Sequence, residues 1–377
     1  MDVGAPGEVT DEALPYGVFS TAERGPRVGA LSAGTVIDLT PVLGDDVWAA
    51  PALNPFMALG PGAWADARGR LTDALAGGDA DAHRVPLADV TLHLPFAVGD
   101  YADFYSSRSH AENCGRILRP GTEPLTPNWR HMPVGYHGRA GTVVVSGTAV
   151  RRPCGQRRGA PGAGPEFGPS QMLDIEAEVG FVVGAPSDAP VATSAFADHV
   201  FGVVLLNDWS ARDLQAWEAQ PLGPFLGKSF ATSVSAWVTP LAALEAARLP
   251  APRQDPAPLP YLADTDGWAL DLLLEVSLNG EAISRPPFST MYWTPAQQLA
   301  HLTVNGASLR TGDLFGSGTV SGPSHDQWGS LLELTWGGRD GAFLADGDRV
   351  VITATAPSAT GGRLRLGPVD GTVRAPA

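Results

Sequence analysis

Between residues 16 and 95, short apolar pieces such as 28–31 and 35–39 alternate with Gly, Pro and Asp. That spacing predicts a small, mostly β N-terminal domain over residues 15–95, with one helix around 64–76. Residues 1–14, rich in Gly, Pro and acids, are expected to form a loose tail. After the apolar run 90–94 the texture changes, and polar, aromatic and histidine-containing motifs begin, so the boundary falls near residue 95 and a larger domain spans 96–377. There, 142–146, 175–183, 199–206, 269–278, 330–336 and 349–354 read as strands. Asn279-Gly280 makes a hairpin turn, and Thr294-Pro295 pairs an N-cap with proline at the first helical position, opening a helix that Asn305-Gly306 closes. Residues 151–169, dense in Gly, Pro and Arg, read as a long surface loop or flap. No internal repeat is visible, helices are few, and the fold class is mainly β (α+β).

Composition narrows the function more than the fold. A length of 377 residues suits two domains, and 44% hydrophobic with 8% aromatic residues suits an ordinary globular chain. A net charge of -15 argues against a nucleic-acid partner, which needs a surplus of Lys and Arg. No apolar run reaches the roughly eighteen residues that span a bilayer, and Asp2, Glu8, Asp11 and Glu12 stand where a signal peptide is basic, so no membrane role and a cytoplasmic location are expected. Cys114 and Cys154 are too few for a disulfide framework or a zinc cluster, so any metal must be held by oxygen or histidine. Lys228 is the only lysine among otherwise arginine cations. It is either a chance survivor or a compact point charge that a planar guanidinium could not replace.

Several short pieces carry candidate chemistry. In Leu173-Asp174-Ile175-Glu176-Ala177-Glu178-Val179, strand alternation puts Glu176 and Glu178 on one face, which is either a solvated strand face or part of an oxygen site for Mg²⁺, Ca²⁺ or Mn²⁺. The apolar run ending in Asn207-Asp208-Trp209-Ser210 delivers Asp208 either as a further ligand or as a helix cap. In the helical piece that follows, Arg212 and Gln215 project from the same side. Gly223 to Ser229 only superficially resembles a phosphate-binding loop, because three rather than four residues separate Gly223 from Gly227. Residues 316–322 form a Gly-rich turn that could approach a ligand closely. Residues 99–110 concentrate acids, aromatics and His110. Glu333, within an apolar strand, would be costly to bury alone, and a histidine is its natural partner. A carboxylate on one imidazole nitrogen leaves the other free as a base.

Taken together, Asp103-Phe104-Tyr105-Ser106-Ser107-Arg108 with His110, Pro133-Val134-Gly135-Tyr136-His137-Gly138-Arg139, Asn207 to Asp213, Gly223 to Ser229 and Ser317-Gly318-Thr319-Val320-Ser321-Gly322 resemble, in order, the signatures of the fumarylacetoacetase family in a bacterial member. The resemblance covers roughly residues 15–375 and implies an N-terminal SH3-like β-barrel domain followed by a larger mixed β-sandwich or roll domain that homodimerises. It implies hydrolysis of a carbon–carbon bond in a small diketo diacid, 4-fumarylacetoacetate, to fumarate and acetoacetate, the last step of tyrosine and phenylalanine breakdown. A related acylpyruvate-type diketo acid hydrolase is the alternative.

The resemblance also assigns roles. Asp103, Glu176, Glu178 and Asp208 would hold a catalytic Ca²⁺ or Mg²⁺, and a second, structural Mg²⁺ would lie beside Asp208, Lys228 and Thr232. An ammonium is no ligand, so Lys228 would offer backbone oxygen there. His110 would be the base, Glu333 its orienter, and water the nucleophile. Arg212, Gln215 and Lys228 would donate to developing negative charge, and Tyr105, Arg119, Tyr136, Gln215 and Thr319 would hold substrate. One departure stands out: Ala219 follows Trp217-Glu218 where better-known animal members carry a tyrosine.

Overall fold

The protein's structure is a computed structural model that describes residues 12–376. Most of the expected tail lies outside that range. Residues 12–14 are not loose: Ala13 and Leu14 are buried apolar side chains, and Arg68 donates to the carbonyls of Glu12 and Ala13. An acid-rich composition hid two residues that the core claims.

Among the described residues a 13-stranded sheet organises the chain. Its main path runs Arg84–Pro86, Thr35–Asp38, Arg27–Ser32, Tyr16–Ser20, Trp237–Pro240, Val200–Asp208, Ala177–Val183, Leu314–Gly316, Tyr101–Phe104 and Gly135–His137. N-terminal strands therefore continue into the larger part through one antiparallel pairing, Tyr16 opposite Val238 and Gly17 opposite Trp237. The two central strands are buried along their whole length. On Val200–Asp208, Val203 and Leu205 enter one core while Phe201, Val204 and Leu206 enter the other. Two covered faces explain why this strand is a continuous apolar run instead of an alternation. Phe201 meets Tyr16, Phe56 and Trp64 at ring-centroid distances of 5.8, 5.6 and 5.4 Å, which seats the N-terminal part on that face.

A second, six-stranded sheet contains Glu281–Ser284, Leu273–Leu278, Arg349–Pro357 and Val369–Arg374. Asn279-Gly280 makes its expected turn, both residues having positive φ, 53° and 89°. The helix Pro61–Gly77 starts on a proline, and Pro295–Thr303 has a complete capping box from Thr294 and Gln297.

Two expectations change. Residues 151–169 are more than a long surface loop, since they carry a largely exposed hairpin: Cys154–Arg157 pairs antiparallel with Glu166–Pro169, and Gly155 packs on Leu214 of the helix Arg212–Glu218. Polar strands with little apolar alternation concealed the hairpin. Residues 330–336 are not a strand but contain the short helix Leu331–Leu334, capped by the Ser330 side chain.

Candidate active site

Four carboxylates converge from three chain segments because of strand order. Leu314–Gly316 lies between Ala177–Val183 and Tyr101–Phe104, with Gly316 opposite both Gly180 and Asp103. On the other side Glu178 pairs with Leu206, two residues before Asp208 at the end of its strand. Ligand atoms of Asp103, Glu176, Glu178 and Asp208 come within 4.8 Å of one another, and all four residues are buried. Gly316 makes this approach possible: a Cβ there would sit 2.7 Å from Glu178 Oε2 and 2.8 Å from Asp103 Oδ1. The Glu pair is thus no solvated strand face, and Asp208 is no helix cap, since Ala211 occupies that position of Arg212–Glu218.

Buried like charges need compensation. Lys228 Nζ donates to Glu176 Oε2 and to Asp208 Oδ2, both at 2.6 Å, and Arg212 Nη2 lies 2.8 Å from Glu176 Oε1. Arg212 Nη1 also donates to Gln215 Oε1 at 3.2 Å, so the expected same-side pair is formed. Thr232 Oγ1 donates to Asp208 Oδ1 at 3.2 Å, and the Tyr136 hydroxyl lies 3.0 Å from both Asp103 Oδ2 and Asp208 Oδ2. Two cations against four carboxylates leave a deficit. Burial, then neighbouring carboxylates, push the Asp103 and Glu178 carboxyls well above the usual carboxylate range. Burial also disfavours a charged Glu176, but Lys228 and Arg212 outweigh it and hold that carboxyl below its usual range.

A divalent cation would supply the missing charge. Asp103 Oδ1 and Glu178 Oε1 are buried oxygens with no hydrogen-bond donor, and they point into the same cluster. Four all-oxygen donors with unfilled acceptor sites fit a hard cation such as Mg²⁺ or Ca²⁺.

His110 and Glu333 form the second part. Ser107 caps the helix Arg108–Leu118 by accepting from His110 N, which fixes His110 in the first turn. Its Nδ1 is 2.7 Å from Glu333 Oε2, with Glu333 fully buried. Burial opposes charge on both groups but is outweighed: Cys114 and then Glu333 hold His110 well above its usual range, and His110 holds Glu333 below its own. Because the carboxylate only accepts, Nδ1 carries the proton and Nε2 is the basic nitrogen. After Lys228 and Arg212, the His110 charge is a smaller contributor to lowering the Glu176 pKa, which puts the dyad near the cluster.

A family description for the fumarylacetoacetate hydrolase C-terminal region matches residues 100–374, and one for the fumarylacetoacetase N-terminal region matches residues 12–95. The chain belongs to the fumarylacetoacetate hydrolase family. It is 46% identical to the fumarylacetoacetase of Homo sapiens across 90% of each chain, and 43% identical to that of Arabidopsis thaliana across 94% of this chain and 93% of the relative. Among solved structures it resembles a fumarylacetoacetate hydrolase from Exiguobacterium antarcticum, with a TM-score of 0.59, 19% identity, and coverage of 96% of this chain and 99% of that one. The maleylpyruvate hydrolase of Sphingobium gives a TM-score of 0.58 at 17% identity, with 96% and 100% covered. Those two establish shared fold.

In this family member the remaining expected contacts divide. The Tyr105 ring stands edge-on to His110, at 5.3 Å between centroids, and Thr319 Oγ1 is buried without a partner. Arg119 instead sits exposed at the far end of the helix Arg108–Leu118, where its guanidinium donates to Pro124 O at 2.7 Å. Ala219 caps the helix Arg212–Glu218.

Sequence reasoning missed the residues that hold Glu333. Ser321 and Ser330 hydroxyls each donate to Glu333 Oε2 at 2.8 Å, and Asn113 Nδ2 donates to Oε1 at 3.0 Å. It also missed Cys114, whose Sγ lies 3.5 Å from His110 Nε2, so that nitrogen is not without neighbours. Two signals were present. Ser330-Leu331-Leu332-Glu333 has the Ser-x-x-Glu spacing of a helix start, and Cys114 follows His110 by one helical turn.

Proposed function

We propose that this chain cleaves 4-fumarylacetoacetate with water to fumarate and acetoacetate, using the carboxylate cluster as a Mg²⁺ or Ca²⁺ site. The reading is carried by one observation: a buried His110–Glu333 pair at 2.7 Å stands beside four carboxylates within 4.8 Å of one another. Held by Asp103, Glu176, Glu178 and Asp208, such a cation would supply Lewis-acid polarisation of the diketone.

His110 Nε2 takes a proton from water, whose oxygen bonds to the carbonyl carbon of the fumaroyl half. Glu333 holds the ring and stabilises the imidazolium that forms. The carbon–carbon bond then breaks, its electron pair passing to the methylene carbon as an enolate, and the proton held on the His110 imidazolium passes to that carbon, giving acetoacetate and restoring the neutral base. Lys228 and Arg212 face the negative charge that accumulates on the diketone oxygens, and Gln215 adds a donor. Burial works against the Lys228 charge, but Asp208 and Glu176 raise its pKa, so it acts as a fixed cation. Tyr105, Tyr136, Thr319 and Arg119 hold the substrate carboxylates in this reading, Arg119 after release from Pro124. A second, structural Mg²⁺ would draw on Asp208, the Thr232 hydroxyl and the Lys228 backbone.

The proposal includes a cytoplasmic homodimer acting at the end of tyrosine and phenylalanine breakdown. Among the described residues no helix is long and apolar enough to cross a membrane. Exposed Leu222, Phe225, Leu226 and Phe167 provide apolar surface for a second copy to cover.

Substrate competition tests the assignment. With Mg²⁺ present, kcat/KM for fumarylacetoacetate should exceed that for a simple acylpyruvate by at least about 100-fold, because groups placed for the second carboxylate, the buried Thr319 hydroxyl among them, would lack their partner. Faster turnover of the acylpyruvate would transfer the assignment to that alternative.

A further inference from the structure

Asp174 lies in the Glu-pair segment but belongs to neither the carboxylate cluster nor the dyad. It is fully buried, and all its acceptor positions are used. Oδ1 accepts from the amides of Ile175 and Leu331, both at 2.7 Å, while Oδ2 accepts from the Leu332 amide at 2.9 Å and from Arg212 Nε at 2.8 Å. Leu331 and Leu332 open the four-residue helix that carries Glu333, and Arg212 is the cation that reaches Glu176. The backbone around it is held independently: Leu173 and Asp174 pair with Ala211 and Ser210, and Arg212 N donates to Met172 O. The carboxylate is therefore not needed to form the ladder.

We infer that Asp174 is a positioning residue that joins the two halves of the site, holding the Glu333 helix and the Arg212 guanidinium in one fixed relation. The inference rests on the proposed roles of His110, Glu333 and Arg212. A helix of four residues has too few internal hydrogen bonds to hold its own orientation, so two amide bonds to a buried carboxylate set where its backbone sits, and Ser321, Ser330 and Asn113 then hold the Glu333 carboxylate. Asparagine has nearly the same shape but cannot do this. Whichever way its amide turns, the NH₂ group faces two of the four donors.

The test uses the full-length protein. A His110 Nδ1 proton bonded to a buried carboxylate exchanges slowly and gives a far-downfield proton resonance, assignable by its loss in His110→Ala. Asp174→Asn should still melt cooperatively, lose that resonance, and lose about 30- to 100-fold in kcat with KM within about threefold. Leu331→Pro provides the second variant. Proline is accepted at a first helical position but has no N–H, so it removes the Leu331 bond and leaves Arg212 in place. It should lose the same resonance. Because Leu331 is also a buried core side chain, Leu331→Ala, which keeps the N–H, is the control and should keep the resonance. A folded Asp174→Asn or Leu331→Pro variant that keeps the parent resonance, or keeps kcat within about threefold, overturns the inference. The resonance needs no substrate, so it reports on Asp174 even if the parent protein fails to hydrolyse fumarylacetoacetate.

Discussion

His110→Ala loses on the order of 10⁴-fold in kcat while binding Mg²⁺ and a non-hydrolysable diketo diacid about as tightly as the parent chain. The separation follows from geometry. His110 bonds to Glu333, and the cluster carboxylates are held by Lys228, Arg212, Tyr136 and Thr232, none of which depends on the imidazole. The same pair sets the pH dependence. The base is the neutral ring; burial opposes its protonation, but Cys114 and Glu333 raise its pKa well above 6.5. The neutral fraction therefore falls as pH drops through that raised value, and kcat/KM should show an acidic limb centred above the ordinary histidine range. Glu333→Gln removes the charge that favours the imidazolium, so the limb should move to lower pH while the maximum rate falls. Steady-state profiles of parent and variants, with calorimetric titration of the metal and the analogue, check both statements. A weakened metal affinity in His110→Ala would show that the dyad and the cluster are not separable.

Lys228→Arg should lose about 10²- to 10³-fold in kcat although the charge is conserved. Lys228 Nζ sits 2.6 Å from one oxygen of Glu176 and 2.6 Å from one of Asp208, in a position only 5% exposed. A guanidinium spreads the same charge over a plane with donors in a fixed fork, and it cannot place one nitrogen between two carboxylates without displacing one of them. The displaced group would be a proposed metal ligand, so metal affinity should weaken along with kcat. Retention of kcat within about tenfold would show that the position requires charge alone.

How much of this was legible in the sequence depended on the range of the interaction. Strands, the Asn279-Gly280 turn and the Thr294 cap follow from local alternation and turn chemistry, and they were readable. Glu176, Glu178 and Asp208 were visible as candidates, but only the order of strands around Leu314–Gly316 shows why Asp103 joins them. Glu333 contacts His110 from a helix and not from a strand, because Leu-Leu-Glu-Leu suits a buried strand as well as a single helical turn, and the Ser330 cap decides between them. Asp174 illustrates the limit. Two of its four donors come from residues more than 150 positions away, and no local pattern announces such a contact.

In the proposed reaction His110 activates water toward the fumaroyl carbonyl, and Asp103, Glu176, Glu178 and Asp208 would hold the divalent cation that the reaction requires. The most direct measurement strips the protein with a chelator and follows fumarylacetoacetate cleavage in ¹⁸O-labelled water before and after Mg²⁺ or Ca²⁺ is restored. Turnover should be lost on chelation and recover on adding the ion, with the label in the new carboxylate of fumarate and none incorporated into acetoacetate by the reaction. Undiminished fumarate release from fully chelated protein, or enzymatic delivery of the label to acetoacetate, would contradict the proposed reaction.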